Sequence, residues 1–382
     1  MERSVIAPAG VLPAGVPWPG TSLDDVGTPA LIVDLDAFEC NIAAMAAAVG
    51  DRGARLRPHA KSHKCPEIAK RQIAAGAVGV CCQKISEAEV FVAAGVADVL
   101  VTNEIVGRDK IERLTSLSRS AAIGVLVDDH ANVLALAAAV RATGTTLEVL
   151  VEIDVGAHRC GVLPGAPALD LARAIVAAPG LRFGGLHAYQ GAAQHLRQPA
   201  QRRAEIARAV ELAGDTKALI EQAGIRCATV TGGGTGTFVL ERDSGVYTEL
   251  QPGSYVFMDA DYGRNELNSS EPVFGQSLYL WTTVMSAPAA DRAIVDAGLK
   301  AFSVDSGLPL VADRPELECT KASDEHGVLQ VPTGAKNLRV GDKIRLVPGH
   351  CDPTVNLHDW MVGVRKGRVE CVWPVSARGA LL

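Results

Sequence analysis

Arg57-Pro58-His59-Ala60-Lys61-Ser62-His63-Lys64-Cys65-Pro66 sets a lysine just behind an extended apolar run and ahead of a helix start marked by Pro66. A lysine shielded from water at such a strand end loses its proton more easily and attacks a carbonyl, the chemistry of a Schiff-base residue. A solvated surface ammonium is the alternative for any single lysine. Thr231-Gly232-Gly233-Gly234-Thr235-Gly236 also follows a strand-like run. Successive glycines there let backbone N–H groups approach a phosphate, and without a Gly-Lys-Ser/Thr ending no nucleotide is implied. A flexible turn is the bland reading. Gly253-Ser254-Tyr255 on the next strand offers a backbone donor and two hydroxyls to complete such a cradle.

Gly349-His350-Cys351-Asp352-Pro353-Thr354 joins imidazole, thiol and carboxylate, with His358 and Asp359 soon after. In an extended segment His350 and Asp352 point the same way while Cys351 faces elsewhere, and a nitrogen with a carboxylate oxygen suits Zn, Mn or a similar divalent ion. Two ligands leave positions for water or substrate, although His and Asp are also ordinary turn residues. In Tyr189-Gln190-Gly191-Ala192-Ala193-Gln194-His195 a histidine follows another strand, suited to moving protons near neutrality. Arg159, after Asp154-Val155-Gly156, can face a carboxylate or a cofactor ring; a structural ion pair is equally open.

These residues need a frame that brings them together. Short β-branched runs alternate with helical stretches at Ala54–His59, Val78–Gln83, Asp98–Thr102, Ala122–Val127, Leu147–Asp154, Leu181–Tyr189, Cys227–Thr231 and Thr248–Val256. Helices are expected between most of them, over Pro66–Ala75, Glu87–Ala94, Asn132–Thr143, Pro167–Ala177 and Arg203–Ala223. The fold class is α/β: eight strands suggest a (βα)8 TIM-type barrel, with an open doubly wound sheet as the alternative. Barrel chemistry sits at the C-terminal strand ends. That rule selects Lys61 after the first strand, Gln83 closing the second, Asn103 after the third, Arg159 past the fifth, Tyr189 ending the sixth and Gly232 after the seventh.

After about Gly263 the texture changes to short strand-like runs: Leu278–Met285, Ala293–Val295, Val328–Val331, Lys343–Val347, Met361–Arg365 and Arg368–Val372. The expected organisation is an N-terminal arm (1–27), a strand and helix leading into the barrel (28–53), the barrel (54–263) and a C-terminal, mainly β domain carrying His350 and Asp352 (264–382). The early run Ala30–Asp34 is a ninth strand that the barrel does not need.

Composition bounds the partners. At 382 residues, 48% hydrophobic and 21% charged, the chain can bury a large core and is not of the disordered class. A net charge of -6 with no basic run argues against nucleic acid or an anionic membrane and for small molecules. The nine cysteines lack disulfide-framework spacing, and no signal or membrane-spanning segment is evident, so a cytoplasmic protein with reduced thiols is expected.

The string from Arg57 to Ile68, Val-Cys-Cys-Gln-Lys-Ile-Ser-Glu-Ala-Glu from Val80, Val-Thr-Asn-Glu from Val101 and Pro-Gly-His-Cys-Asp-Pro-Thr from Pro348 resemble the D-threonine aldolase and D-3-hydroxyaspartate aldolase group. The likeness runs from about Thr28 to Gly379. It implies a fold-type III pyridoxal-phosphate enzyme related to D-serine dehydratase and alanine racemase, usually dimeric. By that resemblance Lys61 carries pyridoxal phosphate; Gly233, Gly234, Ser254 and Tyr255 lie in the phosphate region; Gln83, Arg159 and Tyr189 surround the cofactor ring or its hydroxyl. His350 and Asp352 match the metal pair (Mn, Mg, Co or Zn), and His195 the histidine that takes the β-hydroxyl proton. The resemblance also moves Ala30–Asp34 into the β domain. Gln190 stands where some D-threonine aldolases have a second histidine, which with Cys351 resembles the D-3-hydroxyaspartate branch.

The implied reaction is retro-aldol cleavage of a D-β-hydroxy-α-amino acid to glycine and an aldehyde. The rival is a D-serine or D-3-hydroxyaspartate dehydratase giving ammonia and a keto acid. A racemase would need a second proton donor that the sequence does not identify. A non-catalytic pyridoxal-phosphate carrier would need Lys61 and the glycine loop but not His350 and Asp352.

Overall fold

In the computed structural model, which describes residues 15–50, 52–268 and 271–382, the chain opens with β1 (Ala30–Asp34) and α1 (Leu35–Val49). Residues 1–14 of the expected N-terminal arm lie outside the described residues. The Asp34 carboxylate caps α1 by accepting from Ala37 N–H at 3.1 Å. Strands and helices then alternate: β2 (Arg55–Leu56), α2 (Pro66–Ala74), β3 (Val80–Cys82), α3 (Ile85–Ala93), β4 (Asp98–Glu104), α4 (Arg108–Leu117), β5 (Ala122–Val127), α5 (His130–Thr143), β6 (Leu147–Glu152), α6 (Ala166–Ala177), β7 (Leu181–His187), α7 (Pro199–Gln222), β8 (Thr229–Gly232), α8 (Phe238–Arg242) and β9 (Glu249–Leu250).

Among the described residues β2 to β9 form one eight-stranded parallel sheet in the order β2-β9-β8-β7-β6-β5-β4-β3. Its two ends meet. Val78 N–H donates to Leu56 O at 2.9 Å and Cys81 N–H to Pro58 O at 2.8 Å, beside a parallel bridge between His59 and Cys81. The barrel is therefore closed, and the open-sheet alternative falls.

Period-two alternation explains why these strands read as continuous apolar runs. Cys81, Leu100, Leu126 and Leu150 fill the barrel interior as one buried cluster, while Val80, Val99, Val101, Val125, Val149 and Val151 pack outward against the helices. Truncating Leu126 to alanine would cost about 2–5 kcal/mol, because close-packed neighbours only partly fill the cavity.

The last barrel strand is shorter than the apolar run Thr248–Val256 suggests. Pro252 has no N–H for the ladder, and the chain turns into a 3-10 helix at Ser254–Val256. Pro58 likewise limits β2, although His59 N–H still reaches Pro252 O at 3.1 Å.

The rest of the chain forms β10 (Leu278–Ala289), β11 (Arg292–Val295), β12 (Leu310–Val311), β13 (Glu318–Ala322), β14 (Gly327–Gln330), β15 (Lys343–Val347), α9 (Cys351–Val355), β16 (Trp360–Arg365) and β17 (Arg368–Pro374). The sheet order is β11-β14-β13-β12-β15-β10-β1-β16-β17. Strand β1 sits inside it, antiparallel to β10 and parallel to β16, and α1 leads from there to the barrel. The sequence reading did not name β12 and β13. Their signal is weak: in β13 only Cys319 is buried.

Candidate active site

Lys61 lies in a 3-10 turn, Ala60–Ser62, at the C-terminal end of β2. Its ammonium is 4.0 Å from Asp352 Oδ2, and its side chain is 41% exposed in a cavity shared with His195, His350 and Asp352. Nearby Lys64, held at φ 50, sends its ammonium instead into a buried ion pair with Glu87 at 2.7 Å. Glu87 also accepts Gln83 N–H at 2.7 Å and Lys84 N–H at 3.1 Å, so this pair ties the loop of Lys61 to the loop of Gln83. Of the two lysines, only Lys61 faces the cavity.

The loop after β8 brings Gly234 and Thr235 to the cavity that Gly253 and Ser254 also line, and Tyr255 N–H donates to Thr235 Oγ1 at 3.1 Å. The backbone N–H groups of Gly234 and Thr235 are buried and meet no protein acceptor among the described residues, which fits a phosphate cradle. A Cβ on Gly234 would sit 2.4 Å from Gln194 Oε1, so no side chain fits there. Gly233, at φ 74, takes the backbone round the turn one position behind the cavity wall. Tyr255 corrects the expectation of a hydroxyl in the cradle. Its side chain is fully buried in the core, where its hydroxyl accepts from Gln72 Nε2 at 3.0 Å, because the 3-10 turn replaces an extended strand.

Gln83, Arg159 and Tyr189 line the same cavity. The Arg159 guanidinium lies 5.8 Å over the Tyr189 ring, and burial raises the Tyr189 hydroxyl against the pull of Lys61 and Arg159. Gln83 Nε2 donates to Thr102 O at 3.0 Å. The sequence reading missed His59, Thr102, His187 and Gln251, which line the same cavity. His59 Nε2 bonds Thr102 Oγ1 at 2.9 Å while its Nδ1 accepts Lys61 N–H at 3.4 Å, and burial holds the imidazole neutral by pushing it well below its usual range. His187 Nε2 bonds Gln251 Oε1 at 3.2 Å, and its Nδ1 is 3.5 Å from Glu152 without hydrogen-bond alignment. The strand-end rule that found Tyr189 also points to His187, the last residue of β7, which shares its face two positions earlier.

His350 and Asp352 both reach the cavity, but not through an extended segment. His350 is the N-cap of α9 at φ -143, and Asp352 already lies in its first turn; Pro353 is tolerated there because first-turn N–H groups are unpaired in any helix. Cys351 is fully buried in the core, its thiol pushed well up, and Asp259 accepts its N–H at 2.9 Å. His350 Nδ1 bonds Asp305 Oδ2 at 2.7 Å. Burial raises the Asp305 carboxyl, but His350 and Ser303 outweigh it and keep it an anion, so Nδ1 donates to it and Nε2 is the nitrogen left for a metal. An imidazole oriented in this way by a carboxylate suits a divalent metal. His358 is not part of this site: it bonds Ala301 O at 2.7 Å in the β domain.

His195 Nδ1 lies 2.5 Å from Asp261 Oδ2, and Arg197 bonds the other oxygen of the same carboxylate. Neither Asp261 nor Asp305 stands in a motif, and each comes from a loop far in sequence from its histidine. Asn103 lies inside β4 and donates to Gln83 O at 3.1 Å. Gln190 is buried, with its side-chain Oε1 accepting Ala192 N–H at 3.2 Å.

Residues 33–261 match the alanine racemase N-terminal domain family, and residues 277–364 a putative serine dehydratase domain. The chain is 49% identical over 362 residues to a D-threonine aldolase of Arthrobacter sp, covering 94% of this chain and 95% of that one. It is 48% identical over 369 residues to a 3-hydroxy-D-aspartate aldolase of Paracoccus denitrificans (strain Pd 1222), covering 94% of each. The crystal structure of D-threonine aldolase from Filomicrobium marinum superposes with a TM-score of 0.95 at 50% identity, covering 96% of this chain and 100% of that one. With a closed eight-stranded barrel, an antiparallel β domain and this degree of likeness over nearly its whole length, the chain belongs to the D-threonine aldolase and 3-hydroxy-D-aspartate aldolase family, carbon–carbon lyases built on an alanine-racemase-type domain.

Proposed function

We propose that the protein cleaves D-β-hydroxy-α-amino acids, D-threonine or D-3-hydroxyaspartate among them, to glycine and an aldehyde, using pyridoxal phosphate and a divalent metal ion. One observation carries the reading: Lys61, His195 and the His350–Asp352 pair, from three separate segments, line one cavity together with the buried donors of the glycine loop. When bound, pyridoxal phosphate supplies an acceptor for the electrons of the breaking Cα–Cβ bond, and the metal (Mn, Mg, Co or Zn) a Lewis acid for the β-hydroxyl oxygen. Lys61 Nζ is the amine that bonds the cofactor; Gly234, Thr235 and Ser254 hold the phosphate; Arg159, Tyr189 and Gln83 flank the ring. His350 and Asp352 hold the metal. His195 Nε2 takes the β-hydroxyl proton, so the oxygen's electrons form the aldehyde carbonyl as the bond parts. The same reading takes the working unit as a homodimer, on the family resemblance, in the cytoplasm.

The test is incubation with D-threonine, D-3-hydroxyaspartate, D-serine and L-threonine, scoring glycine, aldehyde, ammonia and keto acid together. Glycine and aldehyde from the D-β-hydroxy substrates are expected, with L-threonine untouched. Ammonia and a keto acid as the main products would overturn the aldolase reading in favour of the dehydratase.

A further inference from the structure

We infer that Asp261 is a positioning residue that fixes His195 with its proton on Nδ1 and Nε2 free for the substrate, and that Arg197 dictates which Asp261 oxygen faces the imidazole. The inference rests on the reading of His195 as the base. The His195 side chain is 48% exposed, so packing alone does not choose its orientation; its close polar anchor is Asp261 Oδ2 at 2.5 Å. Nε2 meets no protein partner among the described residues. Asp261 is itself well fixed. Its side chain is 8% exposed, Arg197 bonds Oδ1, and Arg197 Nη1 donates to Asp261 O and Asn265 Oδ1, each at 2.7 Å. Burial raises the Asp261 carboxyl, but Arg197 and His195 outweigh it and keep it ionised. An ionised carboxylate only accepts, so Nδ1 must donate.

The backbone around Asp261 links the base to the other half of the site. Ala260 N–H donates to Pro348 O at 3.0 Å, Asp261 N–H to Gly349 O at 3.2 Å, and Asp259 accepts Cys351 N–H at 2.9 Å. One three-residue segment therefore grips both the loop of His195 and the loop of His350 and Asp352.

Asp261→Asn gives a signed test. Arg197 can only donate, so it takes the amide oxygen, which turns the NH2 toward His195 Nδ1. Nδ1 then becomes the acceptor and the proton moves to Nε2, the tautomer that cannot act as base. In holoenzyme with 15N-labelled histidine, the His195 signal, identified by its loss in His195→Gln, should show protonated Nδ1 in wild type and protonated Nε2 in Asp261→Asn. The kcat for D-threonine should fall on the order of 10²–10⁴-fold with KM and cofactor absorbance nearly unchanged. Adding Arg197→Met frees the amide to rotate, so the double variant should regain the Nδ1 proton and exceed Asp261→Asn in kcat. A wild-type His195 protonated on Nε2, or Asp261→Asn at wild-type kcat, overturns the inference; the first of these holds whether or not the variant folds. A double variant no faster than Asp261→Asn removes the part given to Arg197. If wild type cleaves no D-β-hydroxy amino acid, or His195→Gln keeps full activity, the functional reading fails instead.

Discussion

Gly234→Ala places a methyl group where Gln194 already stands, and the cost follows from what Gln194 does. The new Cβ would lie 2.4 Å from Gln194 Oε1 and 2.6 Å from its Cδ, so this fully buried side chain must move. It would give up acceptance from Gly236 N–H at 3.0 Å and donation to Thr237 Oγ1 at 2.7 Å and Gln190 O at 3.2 Å. At about 1 kcal/mol per net hydrogen bond, and more where a donor is left stranded, the loss is about 2–4 kcal/mol. The free protein relieves part of this by shifting the glycine loop, and cofactor binding must restore the loop. Pyridoxal phosphate should therefore bind roughly 10- to 100-fold more weakly, at about 1.4 kcal/mol per tenfold. Because His195 follows Gln194 directly, kcat at saturating cofactor should fall as well. Titrating apoprotein by absorbance measures the first effect and steady-state cleavage the second. Gly263→Ala is the control, since its Cβ meets nothing within 4 Å. If Gly234→Ala binds the cofactor as tightly as Gly263→Ala, the loop is not held against Gln194 and the cradle argument is wrong.

Borohydride reduction of the holoenzyme should fix the cofactor to Lys61; an adduct on Lys64 would contradict the buried 2.7 Å pair that occupies it with Glu87. Exhaustive chelation, or His350→Ala, should leave the cofactor absorbance intact and lower cleavage at least 100-fold, with Mn, Co or Zn restoring only the chelated wild type; full metal-free activity would make His350 and Asp352 turn residues. Glu241, buried beside the glycine loop, is raised from 4.5 to about 7 by burial, against bonds from Thr237 and its own backbone. Its folded value lies above the unfolded one, so folding favours the neutral acid. Stability should fall as pH rises from 4.5 through about 7, by roughly 3 kcal/mol in all. Glu241→Gln should match wild type in denaturant melts below pH 4.5 and exceed it above 7; equal melts at both ends would mean that Glu241 ionises freely.

The sequence by itself determined the alternation of strands and helices, because residues packed on both faces of a parallel strand must be apolar: Val99, Leu100 and Val101 are read from their types alone. It also exposed the residues whose chemistry is local to a motif, namely Lys61 at a strand end, the glycines after β8 and the His350–Asp352 pair. Strand ends were misjudged where proline withdraws an N–H, and Tyr255 was misplaced because a strand was expected where the chain turns, at Ser254–Val256. Weakly patterned β13 escaped notice. What only the tertiary structure decided is partnership across distance. Barrel closure depends on bonds between Leu56, Pro58 and the segment from Val78 to Cys81. The orientation of His195 depends on Asp261, that of His350 on Asp305, and the burial of Lys64 on Glu87. None of these pairs carries a spacing signal, since a hydrogen bond between two loops is fixed by where the barrel and the β domain bring those loops, not by the number of residues between them.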